Sequence, residues 1–226
     1  IDFTADGVVI PESYDPAVSG VYATDEAGVA RLEAQGLADP EIVEIAGRVA
    51  DQIAEGEGAV FGITEVFLNG NRQGGGVDGV RTQETNLGNL TADANLWYAQ
   101  QLEPDGNVLV SIKNGGGIRD SIGTVIGPDS DGNFERQPPE AVIDGDGNVV
   151  KPVGGISQND IGNVLAFNNG ISVLSLNTAE LAAMLEHIVG EYESLEVDSG
   201  MGQVGGVRFS FDPTSPADDR IISAAV

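Results

Sequence analysis

Val108-Leu109-Val110-Ser111-Ile112-Lys113-Asn114-Gly115-Gly116-Gly117-Ile118-Arg119 is the stretch from which the fold is read. Its opening apolar run, 108–112, predicts a strand buried on both faces. The run feeds directly into three consecutive glycines, which cost backbone entropy and so call for a local geometric reason. One such reason is the close approach of a ligand to exposed backbone amides. Arg119 then stands beside the bend, and a guanidinium matches a phosphate or carboxylate in bidentate fashion. No Gly-Lys-Ser/Thr follows, so the segment is not a P-loop. The plainer reading is a glycine-rich turn followed by a surface arginine.

Upstream, Arg81-Thr-Gln-Glu-Thr-Asn-Leu-Gly-Asn-Leu90 gathers polar side chains just before a helix expected over 87–102. Free amides and the positive dipole end at such a start favour anions, although capping by Thr85 or Asn86 explains the polarity equally well. Leu90, Ala94 and Trp97 are expected to share one face of that helix, which ends before Pro104. An earlier helix is expected over 40–54, capped by Asp39, opened by Pro40 and stopped by Gly56. Residues 59–67 read as a strand closed by the turn-prone Asn69-Gly70. Gly74-Gly75-Gly76 reads as a loop.

Downstream, residues 127–155 are rich in Gly, Asp and Pro, and read as a surface excursion with a small hairpin. Residues 171–176 are a strand candidate. Asn177 and Glu180 form a capping-box pattern ahead of Leu181, Met184, Leu185 and Ile188, with Gly190 as the stop. Residues 207–212 alternate like a half-buried strand that Pro213 ends. The mixture of elements predicts an α+β fold, a mixed sheet with flanking helices. The expected organisation is an irregular segment over 1–38, a linker helix over 39–57 and a domain over 58–226.

Composition narrows the chemistry. The chain has 226 residues and a formal net charge of −26. A field that negative opposes binding to nucleic-acid polymers. No apolar run is long enough for a membrane span. With no cysteine and a single histidine, His187, the chain lacks the usual ligands of a catalytic zinc or transition-metal pair. His187 reads as a structural residue beside an apolar stripe. Asp129-Ser-Asp-Gly-Asn-Phe-Glu135 and Asp144-Gly-Asp-Gly-Asn148 look superficially like calcium loops, but the first lacks the full spacing to a terminal glutamate, neither has flanking helices, and turn formation accounts for both. The sequence starts at Ile1 without initiator methionine or targeting peptide, so a fragment of a longer chain is expected.

Arg81-x-x-Glu84-Thr85-Asn86-Leu87-Gly88-Asn89-Leu90 with Ala92-Asp93-Ala94 resembles the opening of the C-terminal domain of the 5′-nucleotidase family. Asn114-Gly-Gly-Gly-Ile-Arg119 resembles that domain's signature loop. Ile156-Ser-x-x-Asp-Ile161 and Leu165-Ala-Phe167-Asn-Asn are similar to the stretch presenting a base-stacking aromatic. Residues 176–187 and 203–212 are similar to a helix and strand that follow. The resemblance implies that Arg81 and Arg119 meet the phosphate, that Asn114, Gly115, Gly116 and Gly117 lie against the substrate, and that Phe167 stacks on the base. It implies that a divalent metal pair in an N-terminal metallophosphatase domain performs the hydrolysis, and that this chain alone is inactive. It also implies a nucleotide or nucleoside as ligand, and a periplasmic or extracellular setting. Two departures are visible: Gln83 stands where the family often has a second arginine, and the sequence stops at Val226, before a second stacking aromatic. A structural or adhesive module that kept the fold without a ligand is the alternative, and a calcium-stabilised extracellular domain is a third reading.

Overall fold

A computed structural model describes Thr4, Ala30, Gly36 and residues 39–72, 78–144, 146–190 and 200–226. The irregular segment expected over 1–38 and the Gly74–Gly76 loop lie outside the described residues, apart from those three positions. The chain forms two compact units, Ile1–Gln52 and Ile53–Val226.

Helix α1 covers Pro40–Gly58. Asp39 caps it as expected, its Oδ1 accepting from the Glu41 amide at 2.8 Å. Gly56 does not stop the helix. It packs against the Asn159 side chain, and a Cβ there would run into it. None of the residues of α1 is buried, and Ile42, Ile45, Val49 and Ile53 are exposed. The apolar periodicity is therefore real, but it does not contribute to a core.

The second unit alternates short strands with helices. Strand β1 is Val60–Ile63, α2 is Asn86–Leu102, β2 is Ser111–Asn114, and a 3₁₀ turn covers Gly115–Gly117. Strands β3 (Thr124–Ile126), β4 (Glu135–Gln137), β5 (Val142–Ile143), β6 (Val149–Lys151) and β7 (Gly155–Ser157) follow. Then come α3 (Gln158–Val164), α4 (Thr178–Gly190), β8 (Gly202–Gly205), β9 (Arg208–Phe211) and β10 (Ile221–Ala225). The fold is α+β. Among the described residues its strands form separate antiparallel pairs, β1–β7, β2–β8, β3–β4, β5–β6 and β9–β10, rather than one continuous mixed sheet.

Several elements differ from the sequence reading for identifiable reasons. The strand expected over 59–67 stops at Ile63, because Thr64 bends the chain, its hydroxyl bonding both the amide and the carbonyl of Val66. The strand expected over 108–112 shifts to Ser111–Asn114, and Leu109 is exposed. One β8 partner does not bury both faces. Helix α2 turns a different face inward than expected: Leu90 and Trp97 are exposed, while Leu87, Gly88, Thr91, Ala92 and Ala99 are buried. Residues 171–176 are exposed and form no strand among the described residues. The excursion over 127–155 holds the β5–β6 hairpin, and its β4 pairs back with β3, which precedes it. Asp129 and Asp144 play the same part in the loop of each pair, an Oδ1 accepting from the amides two and four residues on.

Helix α4 matches its capping box. Asn177 Oδ1 accepts from the Ala179 and Glu180 amides, and Glu180 accepts in return from the Asn177 amide at 2.8 Å. Its carboxyl end is closed by buried Arg220, which donates to the carbonyls of Val189 and Gly190, a favourable place for a cation.

Two apolar clusters hold the second unit. One gathers Leu185, Ile188, Val189, Met201 and Val207, with Phe209 and Phe211 against it. The other gathers Leu68, Val80, Leu87, Ile118, Ile122 and Val164. This second cluster positions the site.

Candidate functional site

Arg81 and Arg119 each follow a core residue directly, and Phe167 comes three residues after one. Val80 and Ile118 are fully buried and Val164 nearly so. Three segments distant in sequence are thus pinned to one cluster. Truncating a well-packed residue of this kind costs about 2–5 kcal/mol, so their polar neighbours rest on rigid footings.

Arg81 sits in a tight turn. The amides of Thr82 and Gln83 both donate to the Gly79 carbonyl at 3.0 Å, and the Val80 amide donates to the Asn71 carbonyl at 2.9 Å. Gln203 of β8 fastens the turn from beneath. Its Nε2 donates to the carbonyls of Val80 (3.1 Å) and Gln83 (2.8 Å), and its Oε1 accepts from the Thr85 amide (3.1 Å). Thr85 then caps α2, accepting from the Gly88 amide at 3.0 Å, which settles the choice between Thr85 and Asn86. Gly88 is glycine because a Cβ there would strike the Gln203 amide. Reading along the chain gives no hint of Gln203, since its partners lie some 120 residues away.

The triglycine differs from its expectation. Gly115, Gly116 and Gly117 are buried. The Gly115 amide donates to the Met201 carbonyl at 2.7 Å, and a Cβ on Gly115 would strike the Val80 carbonyl. Close approach of backbone to backbone is what demands glycine there. Asn114 is exposed, with its side chain folded toward Gly117. Beyond the turn, the Arg119 amide donates to the Val164 carbonyl at 2.9 Å, joining the bend to the end of α3. Arg119 Nη1 donates to the Gly116 carbonyl at 3.2 Å, and its guanidinium lies 5.2 Å from the centre of the Phe167 ring. Phe167 is 55% exposed.

Arg81 and Arg119, paired by the sequence reading, are brought together, and Arg72 joins them. Burial lowers the Arg81 pKa from its ordinary value, and the charges of Arg119 and Arg72 lower it further. Arg81 Nε is buried without a hydrogen-bond partner. Among the described residues, none of these three arginines makes an ion pair. Sequence reading missed Arg72 because Asn69-Gly70 looked like a simple turn. Instead Asn69 and Gly70 are buried, held by Asn86 Oδ1 and Ser121 Oγ. Gly70 lies so close to the Asp120 carbonyl that no side chain fits.

Arg72 and Arg119 open onto a cleft of about 670 Å³, whose far wall includes Phe67, Phe134 and Arg136. Arg136 forms a two-pronged ion pair with Asp78, at 2.7 and 2.8 Å. That bond raises the arginine's pKa and lowers the carboxylate's. Four of the chain's ten basic residues, Arg72, Arg81, Arg119 and Arg136, therefore serve this one region. His187 lies exposed in the last turn of α4. No group of three metal-ligating side chains occurs among the described residues.

The arrangement defines an α+β domain that gathers three arginines, without an ion pair among the described residues, near an open aromatic ring. The family model for the 5′-nucleotidase C-terminal domain matches residues 60–226, and the chain belongs to that family. It is 24% identical over 217 residues to the trifunctional nucleotide phosphoesterase protein YfkN of Bacillus subtilis, covering 90% of this chain and 12% of that protein. It is also similar to the crystal structure of the 5′-nucleotidase precursor from Thermus thermophilus. There the identity is 28% and the TM-score 0.55, over 80% of this chain and 28% of the other. The chain thus spans well under a third of either relative. No described helix is long and apolar enough to cross a membrane.

Proposed function

We propose that this domain recognises a nucleotide, holding the phosphate with Arg81, Arg119 and Arg72 and the base with Phe167. The observation that carries this reading is the buried, unpartnered Nε of Arg81 among like charges. A buried donor without an acceptor costs about 1–3 kcal/mol, and a phosphate oxygen supplies that acceptor while relieving the repulsion. Phe167, exposed and hinged off the core at the end of α3, offers a face to any base. The acidic remainder of the surface repels polyanions, so the arginine cluster favours small phosphates over nucleic-acid chains. In this reading Asn114 meets the sugar or phosphate, and Gly115, Gly116 and Gly117, themselves buried, act by setting the bend that carries Arg119.

Hydrolysis is assigned to a parent protein rather than to this chain. A divalent metal pair would supply the nucleophile and charge stabilisation for phosphoester cleavage. The donor set here does not fit such a pair: one histidine, no cysteine, and no candidate cluster among the described residues. By this proposal the metal pair belongs in a separate metallophosphatase domain, and the parent in the periplasm or outside the cell, where acidity would aid solubility. Calorimetric titration with AMP tests the recognition role. Heat of binding that disappears in Arg119→Ala supports it, and silence at millimolar AMP supports a ligand-free structural module instead. Phosphatase turnover by the repurified chain with manganese or zinc would overturn the division of labour.

A further inference from the structure

The β3–β4 hairpin builds a second wall into the arginine cleft that the mononucleotide reading does not use. Phe134, in the loop of this hairpin directly before β4, is 63% exposed although it lines the cleft. An aromatic ring so open contributes little to the fold. The loop is drawn tight beside it: Gly127, with φ +131, lies so close that a Cβ there would meet the Asn133 carbonyl and then the Phe134 backbone and ring. Beside it, Arg136 lies 5.4 Å from the centre of the Phe67 ring. Its charge is already answered by Asp78. What this wall presents is flat and nearly neutral. Phe167 stands outside the lining of the cleft, whereas Arg119 touches Phe167 and lines the cleft. A phosphate held at Arg119 therefore has an aromatic platform reachable in two directions.

Resting on the nucleotide-recognition reading, we infer that the cleft between Arg119 and the β3–β4 hairpin is a second base subsite, with Phe134 as its stacking face. The ligand class is a nucleoside phosphodiester with two planar groups, such as a dinucleotide. One base stacks on Phe167, the bridging phosphate meets the arginines, and the second base enters the cleft. A cleft of about 670 Å³ lies within the ~300–1,000 Å³ typical of small-ligand sites.

The test compares AMP with adenylyl-adenosine by calorimetry on the full chain. Phe134→Ala should weaken adenylyl-adenosine about tenfold and leave AMP within about twofold. Phe134→Tyr should restore the dinucleotide affinity. Phe167→Ala should weaken both ligands. Thermal melts check that each variant is folded, and removal of the exposed Phe134 ring should leave the melting temperature nearly unchanged. If AMP binds the wild-type chain while Phe134→Ala leaves both ligands unchanged, or weakens both equally, the second subsite is overturned and the recognition reading stands. If neither ligand binds the wild-type chain, the recognition reading fails and takes the subsite with it.

Discussion

Lys151 and Arg81 are both cations held partly out of water in a strongly acidic protein, yet their surroundings are opposite. Lys151 Nζ lies 2.5 Å from Glu57 Oε2 and 3.2 Å from Asp160 Oδ2, and only 6% of the residue is exposed. Asp160 also closes the capping box of α3 with Ser157. Asn159 donates to the Ile53 carbonyl and to Glu57 Oε1, so the end of α1 is clasped to α3. The charges of the clasp answer one another: Lys151 faces two carboxylates. Arg81, by contrast, faces Arg119 and Arg72 and has a buried donor with nothing to bond. Among the described residues no carboxylate pairs with these three arginines, whereas Lys151 is answered by two.

The contrast breaks most severely at the clasp. Lys151→Met leaves Glu57 and Asp160 facing each other without a cation and should cost about 3 kcal/mol, read from urea unfolding, with AMP affinity unchanged within about twofold. A loss of AMP binding equal to the loss of stability would erase the distinction between the two regions. The pH dependence has a definite sign. Burial pushes the Lys151 pKa down, but its bonds to Glu57 and Asp160 outweigh that and leave it raised. Its contribution is full below the ordinary lysine value and is lost as pH rises through the raised one. Burial pushes Glu57 up, and its bonds to Lys151 and Asn159 bring it below its ordinary value. Glu57 therefore contributes above that value, and its contribution fades as pH falls. The clasp should be firmest across the neutral range.

Gln203 connects the two kinds of region, because it is a buried, fully bonded residue whose work is to shape the turn under Arg81. Gln203→Ala unpairs two carbonyls and an amide, which should cost about 2 kcal/mol and weaken AMP severalfold. Unfolding and calorimetry on one variant should both move. Arg81→Ala should separate them: AMP affinity falls roughly tenfold to a hundredfold with the charge-assisted bonds, while the melting temperature holds or rises as like charges part. A fall in melting temperature would mean that Arg81 is structural after all.

How much of this was legible in sequence follows from how far each signal reaches. Caps are local, and those at Asp39 and Asn177 were read correctly, as was Thr85, though left beside Asn86 as an alternative. The alternation of β9 was also local, with Phe209 and Phe211 inward. Periodicity failed where a long-range partner decides which face is covered. Helix α2 buries Gly88 and Thr91 rather than Leu90 and Trp97, because Gln203 and β8 lie against that side. The triglycine was recognised as a geometric demand, but the demand comes from the Val80 and Met201 carbonyls. Arg81 and Arg119 were singled out in sequence. Their convergence depends on Val80 and Ile118 sharing a cluster, which no spacing reveals. Arg72 was missed for the same reason.

The smallest expected effect sharpens the comparison most, because it converts one kind of cation into the other. Asp78→Asn removes the carboxylate from Arg136 while preserving most of the shape that receives Asn69 Nδ2. The Asp78 side chain is 42% exposed, so the pair is worth less than about 1 kcal/mol. Its hydrogen bond with Arg136 depresses the Asp78 pKa. Its stabilisation is therefore present above the ordinary aspartate value and disappears as pH falls through the depressed one. Wild type and Asp78→Asn should differ slightly near neutrality and converge in strong acid. In the same variant Arg136 becomes a fourth unneutralised guanidinium beside the cleft. AMP affinity should then rise about twofold to fivefold at low ionic strength, an increase that added salt removes. If freeing Arg136 leaves affinity unchanged, then lack of a counterion does not by itself recruit phosphate, and the weight given to Arg81 passes to its geometry.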